Sequence, residues 1–425
     1  MSRFRLRPSP AQERTLAEHC GHARFVWNLA VEQHAHWKPG RKIAPGFAGQ
    51  CRQLTEARAA FAWLRAGSII VQQQALKDFA QAMANFLGGT HRRPTWRKAG
   101  RHDGFRIVAV EPGDVRRLSR HVGEVRVPKV GWVRFRWSRA VPGAVKSFRI
   151  TRDRAGRWHV AFAAIPDPIP APGAGEVVGV DRGVTVSAAL STGDLLAAPG
   201  LRETEAERLL RLQRRRAKAR RGSNRRAKLT AAIARLKARE ADRRKDWVEK
   251  TSTDLARRFD VIGVEDLKIR SMTRSAKGTV AEPGRRVAHK RGLNRGILAS
   301  GWGQLVARLG HKAPGRVIKV NPRYTSQTCN TCSHTAAESR ESQALFRCVA
   351  CGHEANADVN AARNIADLAA GRAVAARGGS GLPEPANREP QLLLLSGEER
   401  VGIPCLQAGE DVNRLRISRG RRRSC

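Results

Sequence analysis

The sequence predicts an α/β protein in which an N-terminal β-barrel-like domain with a helical insertion precedes an α/β domain interrupted by a zinc ribbon. Three observations predict this architecture. Runs of β-branched and aromatic residues between 105 and 165 follow a helical block. Two later apolar strands each end at an acidic residue, where α/β proteins commonly place functional groups. Two Cys-x-x-Cys pairs then stand fifteen residues apart, a spacing typical of zinc sites.

The composition indicates a polyanionic partner. The 425 residues include 80 Lys and Arg against 37 Asp and Glu, a formal net charge of +43. Such self-repulsion does not favour folding, so nucleic acid is the partner that the charge indicates. The alternatives are a merely basic protein and a membrane-surface protein. The second is weaker, because no long basic helix carries a bulky apolar face.

Cysteine use and the N-terminus indicate the compartment. Four of the eight cysteines are scattered, which disfavours a disulfide framework and indicates a reducing compartment. The N-terminus lacks the apolar run of a signal peptide, and no stretch of about 18 apolar residues occurs. We therefore expect no membrane span and a cytoplasmic, nucleoid-associated protein.

Residues 1–10 and 91–170 predict the β-barrel or sandwich domain, with 11–90 as its helical insertion. The first strand, over 3–7, is expected to be short because the chain starts close to it. Helical periodicity predicts three helices, at Pro10 to about Glu32, at roughly 50–64 and at 68–87. The Pro-rich segment 165–175 is predicted to be a linker.

A basic loop with an exposed aromatic residue follows the helical insertion. Trp96 stands beside Arg97 and Lys98, a combination suited to stacking on bases and holding phosphates. The alternative is a tryptophan packed on the core beside a solvated run of charge. We predict nucleic-acid contacts at these three residues.

Residues 171–325 predict the α/β domain, and 201–250 within it predict a basic helical hairpin. That hairpin holds 19 Lys and Arg against 7 Asp and Glu, which favours an arm that follows a nucleic-acid backbone over a solvated helix pair. Residues 270–295 are predicted to be a mobile loop, and Ile297–Leu309 a helix. The predicted contacts of the hairpin are Arg214, Arg215, Arg216, Arg220, Arg221, Arg225 and Arg226.

Residues 326–354 predict the zinc ribbon. Its four thiolates can hold one tetrahedral zinc ion, so the two neighbouring histidines are not needed as ligands. The alternative is four unliganded cysteines. Whether the ribbon contacts nucleic acid or only supports the following helix stays open from the sequence. The predicted ligands are Cys329, Cys332, Cys348 and Cys351.

Three carboxylates are candidate catalytic residues. Asp181 and Glu265 end short apolar strands, and Asp358 lies in the first turn of a helix predicted within 355–370. Each alone is a weak signal, because an acid after a strand is often a helix cap or a turn residue. Together they would repel unless divalent cations bridged them, and oxygen ligands select Mg²⁺ or Mn²⁺. Two such ions about 4 Å apart can support phosphodiester hydrolysis.

The remaining residues, 371–425, predict a disordered basic tail.

Several motifs resemble the TnpB/OrfB family of insertion-sequence proteins, which are relatives of type V CRISPR effector nucleases. GVDRG surrounds Asp181 and GVEDL surrounds Glu265. The ribbon segments NPRYTSQTCNTC and CGHEANADVNAARNI, and the N-terminal RFRLRPSPAQ and PTWRKAG, are also similar to that family. The resemblance covers about residues 3–370, and the tail has no clear counterpart.

The resemblance implies a split RuvC-like nuclease domain with an RNase-H-like fold, in which Asp181, Glu265 and Asp358 are Mg²⁺ ligands. It further implies an RNA-guided DNA endonuclease of the putative-transposase type, with a guide RNA from the transposon and a double-stranded DNA target. A non-cleaving zinc-ribbon regulator of transposition is the alternative, although a pure binder does not need the three acids. DNA joining also stays open, because RNase-H-like folds host both reactions. The sequence makes no prediction of the oligomeric state.

Overall fold

The structure is a computed structural model that describes residues 2–35, 45–108, 110–141, 143, 145–163 and 167–378, with the backbone alone at 2 and over 372–378. Much of the tail predicted from 371 lies outside these residues. The structure corrects its start, because the last helix continues to Gly378.

The N-terminal half has one strand, a block of helices and six further strands. The helices are α1 Pro10–Ala35, α2 Phe47–Ala60, α3 Ala62–Ala66 and α4 Ile69–Leu87. The strands are β1 Ser2–Arg5, β2 Gly104–Val108, β3 Val115–Arg117, β4 Val122–Val127, β5 Gly131–Arg136, β6 Ser147–Arg152 and β7 Trp158–Ala163. Among these, the short strand β3 was not predicted.

The helices and both N-terminal sheets share one hydrophobic core. One sheet has the order β1-β7-β6-β2 and the other β3-β4-β5, and an isolated bridge between Leu6 and Phe135 joins them. Phe4 contacts Phe135 and Phe162 from the first strand, with ring centroids 5.3 and 5.5 Å apart. Phe79 of α4 belongs to the same core. The predicted β domain and its helical insertion are therefore packed as a single unit.

The second half is built on a five-stranded sheet of order β10-β9-β8-β11-β12. The first three strands pair antiparallel, whereas β8, β11 and β12 are parallel. The strands are β8 Val177–Asp181, β9 Ala188–Leu190, β10 Leu195–Leu196, β11 Val261–Glu265 and β12 Val317–Val320. The helices before the ribbon are α5 Glu203–Lys218, α6 Asn224–Arg258, α7 Ile269–Met272, α8 Val287–Ser300 and α9 Trp302–Lys312.

Helices cover both faces of this mixed sheet, as expected where its parallel strands β8, β11 and β12 are buried on both sides. On one face, Val180 and Val264 pack with residues of α6 and α9, such as Leu255 and Leu309. The other face carries the last helix, α10 Ala357–Gly378. The mixed α/β class predicted from the sequence is confirmed.

The ribbon lies between β12 and α10. It contains a 3₁₀ turn over Ala337–Ser339 and a hairpin of β13 Leu345–Arg347 with β14 Glu354–Asn356. Strand β14 continues directly into α10. Phe346 is fully buried with Cys329, Cys348 and Ala357 in a core of the ribbon's own.

The prediction of a loop over 270–295 and a single helix over Ile297–Leu309 was wrong in part. Residues 273–286 lie outside helices as predicted, but residues from Val287 are helical, and Gly301, with φ 78°, separates α8 from α9. Helix α8 was not predicted because Gly292 and Gly296 lower its helix propensity. One of them, Gly296, permits close packing, because a Cβ there would lie 2.6 Å from Val184 Cγ1.

Within the described residues, no helix is both long and apolar enough to cross a membrane.

Candidate carboxylate site and zinc ribbon

Strand pairing places Asp181 and Glu265 at one edge of the sheet. Both acids end parallel neighbouring strands whose register pairs Val180 with Val264. Side chains alternate along a strand, so each acid points to the face opposite these valines, which is the face that α10 covers. Glu265 is 9% exposed and Asp181 is half-buried.

Helix α10 brings Asp358 to the same edge. The Asn356 side chain caps the helix by accepting hydrogen bonds from the backbone N–H groups of Asp358 (3.0 Å) and Val359 (3.2 Å). Asp358 also borders the turn that follows Asp181, because a Cβ on Gly183 would lie 3.8 Å from Asp358 Oδ2. The indole N–H of Trp302 donates to the Gly183 carbonyl at 3.0 Å and holds that turn.

The electrostatics of the site reflect this proximity. Burial, then the charges of Glu265 and Asp358, raise the pKa of Asp181 from its ordinary 3.8 to about 7. Burial also raises the pKa of Glu265, although a hydrogen bond from Thr325 opposes the shift. A cation at this edge would relieve the repulsion, so the three oxygen-donor side chains fit a hard divalent ion.

The raised pKa of Asp181 predicts that the Mg²⁺-free protein loses stability as the pH rises. The Asp181 carboxyl of the folded protein holds its proton up to about pH 7, whereas that of the unfolded chain releases it near pH 4. The protonated carboxyl therefore makes its full contribution to the free energy of unfolding below about pH 4, and this contribution is lost as the pH rises through 7. Its size is at most about 4 kcal/mol at 1.36 kcal/mol per unit. Urea unfolding of the wild type and Asp181→Asn across this range measures it. If the free energy of unfolding changed with pH by the same amount in both proteins, the prediction would be contradicted.

Three partners of the acids were not among the predicted site residues. Thr325 Oγ1 donates to Glu265 Oε1 at 3.0 Å, and Arg340 Nη2 forms an ion pair with Asp358 Oδ1 at 3.1 Å. Arg182, only 6% exposed, donates from Nη2 to the Glu265 carbonyl, while its Nε has no hydrogen-bond partner among the described residues. Arg182 adjoins Asp181 in GVDRG, which is a local signal. Arg340 lies in the ribbon and carries no such signal.

Asparagines on α10 fasten the helix to the first knuckle, which is the segment that leads into and contains the pair Cys329 and Cys332; the second knuckle contains Cys348 and Cys351. Asn360 donates to the Thr328 carbonyl at 2.8 Å and accepts from the Asn330 N–H at 3.0 Å. Asn364 donates to the carbonyls of Thr325 (2.9 Å) and Thr328 (2.7 Å). Asparagine is a poor helix former, so its recurrence every four residues from Asn356 was a usable signal for these contacts.

The four predicted cysteines meet in one cluster. Their sulfur atoms all lie within 4.8 Å of one another. Two of the separations are 3.8 Å (Cys329 to Cys351) and 3.6 Å (Cys332 to Cys348). The edge of a zinc–thiolate tetrahedron is about 3.8 Å when each Zn–S bond is about 2.3 Å. Over the described part of the chain, no other group of three or more potential metal-ligand side chains lies within this distance. The oxygen atoms of Asp181, Glu265 and Asp358 are therefore farther apart than the four sulfur atoms.

The two knuckles have matching backbones. Cys329 N–H donates to the His334 carbonyl at 2.8 Å, and Cys348 N–H donates to the His353 carbonyl at 2.9 Å. The residue after each pair has positive φ, 62° at Ser333 and 71° at Gly352. A hydrogen bond from the backbone of Cys351 leads the interactions that lower the pKa of Cys348 to about 6. Thiolates so arranged could hold a structural zinc ion.

The aromatic-basic loop is divided by its packing. Trp96 is 53% exposed and Lys98 is exposed, as a contact surface requires. Arg97 is half-buried, with its guanidinium 3.6 Å from the centroid of Trp27, and burial lowers its pKa to about 10. Its backbone N–H also donates to Asn28 at 2.7 Å. In this structure, Arg97 anchors the loop to α1 rather than facing solvent.

The hairpin arginines also divide into two groups. Arg226 Nη1 donates to the carbonyls of Arg216 and Ala219, both at 2.9 Å, and so caps the end of α5. Arg216 is likewise half-buried. The remaining predicted contacts are exposed on the hairpin: Arg214, Arg215, Arg220, Arg221 and Arg225.

Three family models match the chain. A helix-turn-helix domain (HTH_OrfB_IS605) matches residues 2–41, a probable transposase (OrfB_IS605) matches 160–276, and a Cas12f1-like TNB domain matches 302–365. The last match extends from α9 through the ribbon into α10, and so includes the four cysteines and Asp358.

Two curated relatives align over most of the chain. The Putative RNA-guided DNA endonuclease InsQ of Escherichia coli (strain K12) is 38% identical over 386 residues, 88% of this chain and 93% of its own. A Putative RNA-guided DNA endonuclease of Streptomyces pristinaespiralis is 30% identical over 384 residues, 88% of this chain and 90% of its own. A cryo-EM structure of a Cas12f1-sgRNA-target DNA complex aligns with 84% of this chain and 81% of its own chain, at 14% identity and a TM-score of 0.44.

Proposed function

Since the chain belongs to the TnpB/OrfB family of insertion-sequence proteins, we propose that it is an RNA-guided DNA endonuclease that hydrolyses DNA phosphodiester bonds. The proposed metal ligands are Asp181, Glu265 and Asp358. The convergence of these three acids carries the proposal, because strand register sets Asp181 beside Glu265 and Asp358 borders the turn that follows Asp181. Burial and the charges of the other two acids raise the pKa of Asp181, which agrees with this convergence.

The sheet supports a RuvC-like nuclease domain. Three antiparallel strands, followed by two parallel strands beside the first, are the arrangement expected of an RNase-H-like fold. In chain order, Asp181 ends the first strand of this sheet and Glu265 ends the fourth, while Asp358 lies in the first turn of α10, after the fifth strand and the ribbon. The N-terminal β and helical unit is proposed to recognise a short motif beside the target.

The side chains of the site have different proposed roles in metal binding, in orienting the acids and in contacting a phosphate. When bound to the acids, Mg²⁺ or Mn²⁺ would activate a water and stabilise the leaving oxygen, by a two-metal mechanism in our proposal. Asp181, Glu265 and Asp358 would supply the ligand oxygens. Thr325 orients Glu265 through its hydrogen bond, and Arg340 offers a positive charge beside Asp358 that could contact a phosphate. The ribbon cysteines are proposed to hold a separate structural zinc ion.

The basic surfaces are proposed to hold a guide RNA encoded by the transposon and double-stranded target DNA. The hairpin has 19 Lys and Arg against 7 Asp and Glu, and its exposed arginines can follow a phosphate backbone. Trp96 and Lys98 offer a stacking face and a charge in the loop after α4. We propose no direct contact for Arg97 and Arg226, because packing and capping engage their guanidinium groups.

Sequencing the RNA bound to the purified protein tests the proposal. We expect RNA transcribed from the protein's own transposon, with a segment that determines which DNA is cut. The RNA-loaded protein should then cleave only plasmids that match this segment, and only with Mg²⁺ or Mn²⁺. Specific RNA binding with no cleavage of matched DNA would instead favour the non-cleaving regulator.

A further inference from the structure

Two glycines lie directly beneath the last helix. Gly179 and Gly263 are register partners on β8 and β11, and each stands two residues before an acid, Asp181 or Glu265. Alternation along the strands turns each glycine to the same face as its acid. The carboxylates and the bare backbone of both strands therefore face α10.

The helix backbone occupies the space that side chains would fill. A Cβ on Gly179 would lie 1.8 Å from the Ala362 carbonyl oxygen and 2.5 Å from the Ala366 nitrogen. A Cβ on Gly263 would lie 2.7 Å from the Ala369 Cβ and 2.9 Å from the Ile365 carbonyl oxygen. Both approaches are shorter than van der Waals contact. The helix therefore lies at a depth that only glycine at these two positions permits.

This depth bears on the position of Asp358. Residues four apart share one helix face, so Asp358 lies one turn before Ala362 on the stripe that meets the glycines. Helix α10 is continuous from Ala357, and a shift at Ala362 would move Asp358 with it. The carboxylates of Asp181 and Glu265 stay with their strands.

We propose that Gly179 and Gly263 are positioning residues that determine the separation between Asp358 and the two strand acids. This inference rests on the proposed function, because it assigns the separation to metal binding by the three carboxylates. Their role would differ from that of glycines in turns, since neither has positive φ. The absence of a side chain at these two strand positions allows the helix to pack directly against the strand backbone.

Gly263→Ala is the informative variant, because its shortest contact, at 2.7 Å, is with the methyl group of Ala369, which can be removed. We expect Mn²⁺ to bind the acid site about tenfold more weakly in this variant, and DNA cleavage to fall by about 100-fold, since displacement by about 1 Å can cost that much. For Gly179→Ala the three nearest atoms all belong to the backbone of α10, so this variant should be at least as severe. Bound RNA and zinc content should match the wild type.

Two further variants separate positioning from general destabilisation. Gly371→Ala adds the same methyl group to the same helix, where it would meet no described atom within 4 Å beyond the adjoining helix backbone and chain neighbours, and should behave as the wild type. The double variant Gly263→Ala with Ala369→Gly removes the 2.7 Å contact and should recover part of the Mn²⁺ affinity. If the loss of Mn²⁺ affinity came from a weaker helix and not from this contact, a second helix-weakening glycine would not restore it.

Electron paramagnetic resonance of added Mn²⁺, with Asp181→Asn as the background, gives a readout that does not depend on cleavage. Weaker binding in Gly263→Ala that recovers in the double variant supports the inference. Wild-type Mn²⁺ affinity in Gly263→Ala, or no recovery in the double variant, overturns it. If the wild type binds Mn²⁺ but cleaves no matched DNA, the proposed function fails, while the Mn²⁺ comparison still decides the role of the glycines.

Discussion

Replacing Asp181 with asparagine is expected to reduce guided DNA cleavage by about a thousandfold or more. The substitution keeps the shape of the side chain but removes the charge at the end of β8, where the carboxylate lies beside two other acids. Loss of one electrostatic group at a reacting centre typically costs 10²- to 10³-fold, and a metal ligand is expected to reach at least the upper end. Single-turnover cleavage of a matched plasmid by the RNA-loaded variant measures the effect.

Asp246→Asn is the matched control for this prediction. Asp246 has the same side chain but lies on the exposed part of α6, paired with Lys250 at 2.7 Å. It should retain wild-type cleavage, and both variants should retain the bound RNA. Cleavage by Asp181→Asn at the wild-type rate would remove Asp181 from the active site and would contradict the nuclease proposal.

Replacing Cys348 with serine is expected to abolish zinc binding and to unfold the ribbon. Zinc contributes about 10 kcal/mol or more of apparent binding energy at such sites, and the buried core of the ribbon contains little besides Phe346, Ala357 and two of the four cysteines. Because β14 leads directly into α10, the loss should also release the first turn of that helix and lower cleavage by about 100-fold or more. Metal analysis by mass spectrometry and a cleavage assay measure both effects.

Cys51→Ser is the control for the zinc prediction. Cys51 lies in α2, outside the cysteine cluster, and its loss should leave one zinc per chain. The N-terminal unit has a core of its own, so Cys348→Ser should still retain RNA. Full zinc occupancy in Cys348→Ser would show that the four cysteines do not form the site.

Patterns local in the chain were predicted well. The cysteine pairs, the apolar strands ending at Asp181 and Glu265, and the helix carrying Asp358 each occupy a few consecutive residues, so local spacing identified them. The family resemblance is confirmed for the same reason, because the motifs that carry it are contiguous. Helix α8 failed this local test, since its glycines weaken the helical pattern although tertiary contacts favour it.

Contacts between distant residues could not be predicted in this way. The pairing of Arg340 with Asp358 depends on how the ribbon folds back over α10, and the burial of Arg97 depends on Trp27 of another helix. The sequence treated Arg225 and Arg226 alike, whereas capping of α5 distinguishes them. Side-chain identity alone does not tell a solvated arginine from one that satisfies backbone carbonyls.

By itself, the sequence determined the composition of the two candidate metal sites, the order of their residues and the family of the chain. Only the tertiary structure decided how they meet: strand register sets the two acids side by side, and glycines on both strands let α10 approach with the third. The reason is that charge and spacing are properties of short segments. The distance between segments depends on packing, which bare backbone at Gly179 and Gly263 permits and any larger side chain would change.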